Sequence, residues 1–201
     1  MAAETWASRL EGDVGALRTP RDRWVEEGLA VLAEGGPDAV RVEVLAKRLG
    51  VTKGGFYGYF ADREALLAVM LDAWERESVQ EVLEQVEQEG GDARTRFARA
   101  GRLTFSSDRL LPIDLAIRDW ARRDEAVAAR LRRVDGRRLA YLREVFSALH
   151  DDPVDVEARC LLAFCLAVGH HFLAADLAGG APADVLARAG DLVFGEPATG
   201  A

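Results

Sequence analysis

The sequence predicts an all-α protein, with a small three-helix unit near the N-terminus and a larger helical body behind it. Three observations carry that reading. Apolar residues recur three and four apart through nearly every uninterrupted segment, and no segment alternates apolar and polar as a half-buried strand would. Breaks at Gly35-Gly36-Pro37, Gly90-Gly91 and Asp151-Asp152-Pro153 fall between the periodic runs rather than inside them. At 201 residues, 49% hydrophobic and 30% charged, the chain can fill one or two ordinary globular cores.

Residues 1–18 have scattered apolar side chains and small-residue breaks, and read as an arm outside the core that ends at Arg18. Thr19-Pro20-Arg21-Asp22 starts a helix, with threonine as cap, proline at the first helical position and an acid at the third. That helix runs to about Glu34 with Val25, Leu29 and Leu32 on its inner face. A second helix, from Arg41 or Val42 to Leu49, has Val42, Leu45, Ala46 and Leu49 as an unbroken stripe, and Gly50 stops it.

A third helix begins at Thr52, which is expected to cap it, with Val51 and Phe56 as a hydrophobic staple. Gly54, Gly55 and Gly58 fall inside it, each costing on the order of 1 kcal/mol relative to alanine, so neighbouring helices must hold it. Phe56 and Phe60 form a docking stripe; Lys53 and Tyr57 share another face, with Tyr59 and the bare backbone of Gly54 beside them. Taken alone, the pattern fits two readings equally. One is a helix that offers an ammonium, phenols and close backbone approach to a sugar-phosphate backbone. The other is a packed helix with half-buried tyrosines and glycines that admit a crossing helix. The preceding helix decides between them: two short helices joined by a three-residue turn containing glycine have helix-turn-helix spacing, which makes the third the recognition helix.

Charge fits that division. The whole chain has net charge −8, but Arg18 to Arg63 carries eight Lys or Arg against seven Asp or Glu, and the acidity lies beyond it. Both lysines of the chain, Lys47 and Lys53, are in this first part. A near-neutral reader on an acidic body leaves one face able to approach a duplex.

Leu45 to Leu67, LAKRLGVTKGGFYGYFADREALL, resembles the signature of the tetracycline-repressor (TetR) family of bacterial regulators, through Ala46, the Gly50-Val51 turn, the Tyr57 and Phe60 pair and a basic residue at Arg63. The resemblance covers about residues 20–70. It implies that Lys53, Gly54, Gly55, Tyr57 and Tyr59 face DNA, with Thr52 at the helix start and Arg63 on a phosphate; Arg41 is a further phosphate candidate. The chain departs from the family pattern at three places. Arg41 replaces the usual serine or threonine cap, Gly58 replaces a larger and often polar residue, and Arg63 replaces the usual lysine. The domain expectation is an arm over 1–18, a helix-turn-helix DNA-binding domain over 19–64, and an all-helical ligand-binding and dimerisation domain over 65–201.

The body reads as helix throughout. A long helix from Asp62 to about Glu89 has Leu66, Met70, Ala73 and Trp74 inside and many glutamates outside. Further helices span Ala93 to about Ser107, a run to about Arg122 with Pro112 in its opening turn, and Asp124 to His150. The arginines of the last, Arg138 among them, are interleaved with acids and read as a salt-bridged exposed face. The most apolar helix, Val156 to about Leu177, is apolar on more than one side and is expected to bury one against the body and the other against a partner. A final helix runs from Ala183 to about Phe194. By the resemblance, these last two helices pair with their symmetry mates in a homodimer, which would read a palindromic operator in double-stranded DNA.

No catalytic residues, cofactor or metal site are expected: the chain has no Gly-x-Ser-x-Gly, no Walker loop and no Cys-x-x-Cys. His170 and His171 lie five residues from Cys165 and Asp176 respectively, off the rhythm that puts two ligands on one helical face. Either histidine is instead a candidate polar group in the pocket of a small, largely apolar effector, with Phe105, Ile117, Trp120 and Phe164 as apolar lining candidates. Cys160 and Cys165 read as reduced core thiols of a cytoplasmic protein. The apolar run from Cys160 to Ala175 is too short for a membrane span. The functional expectation is a repressor released from its operator by an effector; the alternative is a helical carrier protein that does not read DNA.

Overall fold

The computed structural model describes residues 20–105, 108–175 and 180–195, most of them helix and none of them strand. The predicted arm, Arg18 and the Thr19 cap lie outside the described residues. The chain divides into two compact units, Met1–Leu71 and Asp72–Ala201, with the division inside a helix.

In the first unit, helix α1 (Arg21–Gly35) packs on α2 (Val42–Leu49), which is followed by α3 (Lys53–Tyr57) and by α4, which starts at Arg63 and runs to Glu75. A 3-10 turn, Pro37–Ala39, joins α1 to α2. The core holds Trp24, Leu29, Leu32, Val40, Leu45, Phe56, Leu66 and Met70, all fully buried. Outside this core, Arg48 of α2 donates to Glu27 (3.1 Å) and to Glu34 of α1. Asp62 caps α4 as its sequence suggests, its Oδ1 accepting the Ala65 N–H at 2.8 Å.

Gly50 ends α2 in the left-handed conformation (φ 68°, ψ 29°), which brings the Val51 N–H to the Ala46 carbonyl at 2.9 Å and the Gly50 N–H to that of Lys47 at 3.2 Å. These two bonds close a Schellman motif and satisfy carbonyls that the helix end would leave open. Any L-residue with a Cβ is strained there. Gly50→Ala is expected to destabilise this unit by about 1–2 kcal/mol, read as a lower midpoint in urea unfolding.

In the second unit, the helical run continues past α4 through a π-helical turn, Arg76–Glu81, into α5 (Val82–Glu89). The sequence suggests one regular helix here; the wide turn instead interrupts it and buries Ser78 and Val79. Helices α6 (Ala93–Phe105), α7 (Leu110–Ala121), α8 (Glu125–Ser147), α9 (Pro153–Gly169) and α10 (Pro182–Phe194) complete the unit. Asp124 and Asp152 cap α8 and α9, accepting N–H bonds from Ala126 and Val154 at 2.9 Å. Phe97, Phe146 and Phe194 meet in an aromatic triangle with centroids 4.9–5.7 Å apart, over Val86, Val145, Val156 and Cys160.

Three expectations are corrected in this unit. Helix α9 stops at Gly169 instead of near Leu177, followed by a 3-10 turn over His170–Phe172; the His170 ring bonds the Leu166 carbonyl at 2.7 Å, a group that the terminating helix leaves open. Cys160 is buried, and burial pushes its thiol pKa up, whereas Cys165 is exposed. Arg138 belongs to no solvated face: it is 8% exposed and reaches Asp114 on α7, itself 1% exposed. Arg118 joins both Asp114 (2.7 Å) and Asp135 (2.8 Å), and Arg138 reaches Asp135 at 3.3 Å, so two arginines and two aspartates form one charge-balanced network between α7 and α8.

Candidate nucleic-acid interface and effector cavity

Helix α3 is held by its neighbours rather than by itself. Thr52 takes the extended cap conformation (φ −83°, ψ 153°), but its side chain accepts no bond from the helix, so the expected cap is not formed. Its carbonyl accepts the Gly55 N–H at 3.1 Å instead. Phe56 anchors the helix, its ring edge-on to Trp24 at 5.5 Å and stacked with Phe60 at 5.2 Å. The Arg21 guanidinium lies 5.2 Å from the centroid of the Phe60 ring.

With Phe56 turned inward, Lys53, Gly54 and Tyr57 are left outward. Tyr57 is 61% exposed, with only the edge of Phe56 against its ring at 5.3 Å. Gly55 and Tyr59 are half-buried. Neither glycine is required by packing within the unit. A Cβ at Gly54 would come no nearer than 3.7 Å to Thr52 Oγ1, and one at Gly55 no nearer than 3.8 Å to Trp24 Cζ2, both ordinary contacts. Alanine at either place would favour the helix, so packing among the described residues does not call for glycine.

The cations of this face differ in what engages them. Lys53 Nζ donates to Glu43 Oε1 on α2 at 2.6 Å, and that bond holds the Glu43 carboxyl below the usual carboxylate range. Both side chains are exposed, so a phosphate competes for the ammonium at little cost. Arg41 is exposed at the start of α2 and caps nothing with its side chain. Arg63 is engaged inside the unit: its Nε donates to the Val40 carbonyl at 2.6 Å and a second nitrogen to that of Pro37 at 2.5 Å, tying the 3-10 turn to α4. The resemblance implies a phosphate contact for it; its donors here serve these two carbonyls and, at 3.3 Å, the Glu64 carboxylate.

The body holds a partly open apolar cavity of about 70 Å³ among the π turn, α5, α6, α8 and α9. Val79, Leu83, Phe97, Leu142, Phe164 and Ala167 supply most of its apolar wall, and Ser78, Thr104, Arg138 and Tyr141 its polar groups. Of the six effector candidates, Phe164 lines this cavity, and the Arg118 guanidinium lies 5.5 Å from its ring centroid. Ile117 is fully buried and Trp120 partly buried, both away from the cavity wall. His170 and His171 stack on each other at 3.6 Å beyond α9, also away from it. The side chain of Phe105 lies outside the described residues. Sequence reading missed Ser78 and Tyr141; the one available signal was a serine on the inner side of a helix otherwise lined with apolar residues.

Among the described residues, no helix is long and apolar enough to cross a membrane, and no three His, Cys, Asp or Glu side chains group to hold a metal ion.

Residues 25–70 match the sequence model of a family described as bacterial regulatory proteins, tetR family. No curated protein sequence matches the chain. Among solved structures, a transcriptional regulator from Rhodococcus sp. Rha1 superposes with TM-score 0.67 at 22% identity, over 88% of this chain and 94% of that one. A TetR-family transcriptional regulator from Streptomyces coelicolor gives TM-score 0.70 at 15% identity, over 87% and 93%. The regulator AibR, solved with isovaleryl coenzyme A and operator DNA, gives TM-score 0.61 at 16% identity, over 85% and 96%. The likeness in fold thus extends over most of the chain, and the match to the tetR family model lies on the helix-turn-helix and the helices flanking it.

Proposed function

We propose that the protein is a cytoplasmic transcriptional repressor that binds a palindromic operator as a homodimer and is released by a small, largely apolar effector in the body cavity. The observation that carries the reading is the outward face of α3. Two glycines that packing does not require sit beside an exposed tyrosine and an exchangeable lysine, a surface suited to backbone approach and phosphate contact. Arg41, Thr52, Lys53, Gly54, Gly55, Tyr57 and Tyr59 form the contact set, with Arg63 bracing the turn before α2.

Dimerisation has its own support. Helix α9 buries Val156, Cys160 and Ala163 yet leaves Leu161, Leu162 and Cys165 exposed, and α10 exposes Leu192. A second copy covering these residues would place two recognition helices about 34–36 Å apart, one turn of DNA. AibR, bound to an acyl-coenzyme A and to operator DNA, supports the pairing of the two functions on this fold. Release requires that the effector prefer the DNA-free conformation; equal affinity for both would shift nothing.

The test is a fluorescence titration against DNA flanking the protein's own gene, beside a scrambled duplex, at several salt concentrations. Selective binding that weakens steeply with salt is expected. Tyr57→Ala should weaken it roughly tenfold or more, the range for a lost hydrogen bond to a charged group, and leave the dimer intact by sedimentation. Loss of the dimer in that variant would mean that Tyr57 is a packing residue.

Gly54→Ala is a sharper probe, because its two effects have opposite signs. The helix gains about 1 kcal/mol of propensity, so the thermal midpoint should hold or rise while operator affinity falls. Unchanged affinity would remove the close-approach role.

A further inference from the structure

The polar groups of the body cavity specify more than its volume does. Ser78 is 1% exposed, lines the cavity, and its hydroxyl has no hydrogen-bond partner among the protein groups. A serine within a regular helix commonly bonds the carbonyl four residues back; Ser78 sits in the π turn, where the backbone pattern is i to i+5, and makes no such bond. The Tyr141 hydroxyl is likewise buried, within reach of the Arg96 guanidinium, which can only donate to it, so its own O–H is left without an acceptor; burial pushes its pKa up. Buried hydroxyls left this way carry a penalty that an oxygen on a ligand would remove.

Charge points the same way. Among the described residues lining the cavity Arg138 is the one that carries a charge, and it is already matched by Asp114 at 2.9 Å and Asp135 at 3.3 Å in a network of two positive and two negative groups. Arg96 is paired with Glu87. A carboxylate or phosphate brought into this cavity would be stripped of water without an uncommitted cation to meet it.

Resting on the effector reading above, we infer that the cavity takes a neutral, mainly apolar molecule with one or two oxygen functions, anchored by the hydroxyls of Ser78 and Tyr141. The anchor lies on the same helical run as α4, so the ligand touches the segment that continues from the DNA-reading unit. The balanced charges leave the cavity itself no match for a carboxylate or a phosphate group.

Isothermal titration of the full chain with decan-1-ol, decanoate and decanoyl-coenzyme A tests this, with operator binding measured on the same preparations. Decan-1-ol should bind, decanoate at least about tenfold more weakly, and decanoyl-coenzyme A more weakly still. Ser78→Ala should reduce affinity for decan-1-ol roughly fivefold, the value of one neutral hydrogen bond. Gly101→Leu should abolish binding by filling the cavity; an added Cβ there meets no atom within 4 Å and leucine favours the helix, so the fold is retained. Equal or tighter binding of decanoate overturns the neutral class, and unchanged affinity in Ser78→Ala overturns the anchor. Binding that survives Gly101→Leu places the ligand elsewhere and overturns the site. Operator binding without any uptake of decan-1-ol overturns this inference and leaves DNA reading standing; uptake without operator binding does the reverse.

Discussion

Asp114→Ala is expected to destabilise the body by about 3–5 kcal/mol, the cost of removing one partner from a buried ion pair, measured as loss of thermal and urea stability. The change leaves Arg118 and Arg138 sharing Asp135 alone, with one positive charge in excess and almost no water to screen it. The cost arises from the stranded charge rather than from the pair's net worth. Replacing both Asp114 and Arg138 by leucine, which leaves Arg118 and Asp135 balanced, should therefore recover most of the loss. If the single and double variants are equally unstable, packing and not charge holds α7 to α8.

The same network sets a pH dependence. Burial by itself would raise the pKa of Asp114, but the charges of Arg138 and Arg118 outweigh it and hold the carboxyl below its ordinary value. A depressed folded pKa means that the stabilisation is fully present above the unfolded value of about 3.9 and is lost as pH falls through the folded value. Wild-type stability should fall in acid below about pH 4, and the Asp114→Leu, Arg138→Leu double variant should lose less over that window.

Phe56→Ala should abolish operator binding while the body remains dimeric. Phe56 is fully buried between Trp24 and Phe60, and truncating such a phenylalanine costs about 3–5 kcal/mol, a large share of the stability of a small helical unit. Helix α3 has five residues, two of them glycine, and no side-chain cap, so nothing local would keep it formed once this anchor is gone. Urea unfolding should separate into an early transition for the DNA-reading unit and a later one for the body. Retained operator affinity would show that α3 does not depend on its packing, against the basis on which its outward face is assigned.

These outcomes follow the line between what is local in this chain and what is not. Helical periodicity, the stop at Gly50, the cap at Asp62 and the helix-turn-helix spacing were legible from the sequence. Each depends on residues within a turn or two of one another, where backbone sterics and short-range hydrogen bonds dominate. Thr52 shows the limit of that logic: the right residue stands in the right conformation, and its hydroxyl still makes no cap.

Which members of a stripe meet which neighbours is set by packing between helices. Arg138 looks like one more solvated arginine until α7 brings Asp114, 24 residues earlier, against it. Along the later part of α8, Arg138, Tyr141, Val145 and Phe146 are the buried residues, while Leu139 and Leu142 are half-buried against the core. Four of the six effector candidates have described side chains away from the cavity wall, because aromatic and apolar residues at helical spacing pack equally well in a core or around a void. Ser78 and Tyr141 became visible as cavity groups only once the π turn and the crossing helices had closed around them. The sequence by itself determined which elements form and which face of each is apolar, since both are set by neighbours along the chain. Pairing across helices and the enclosure of a cavity depend on crossing geometry between residues far apart in sequence, and periodicity carries no record of it.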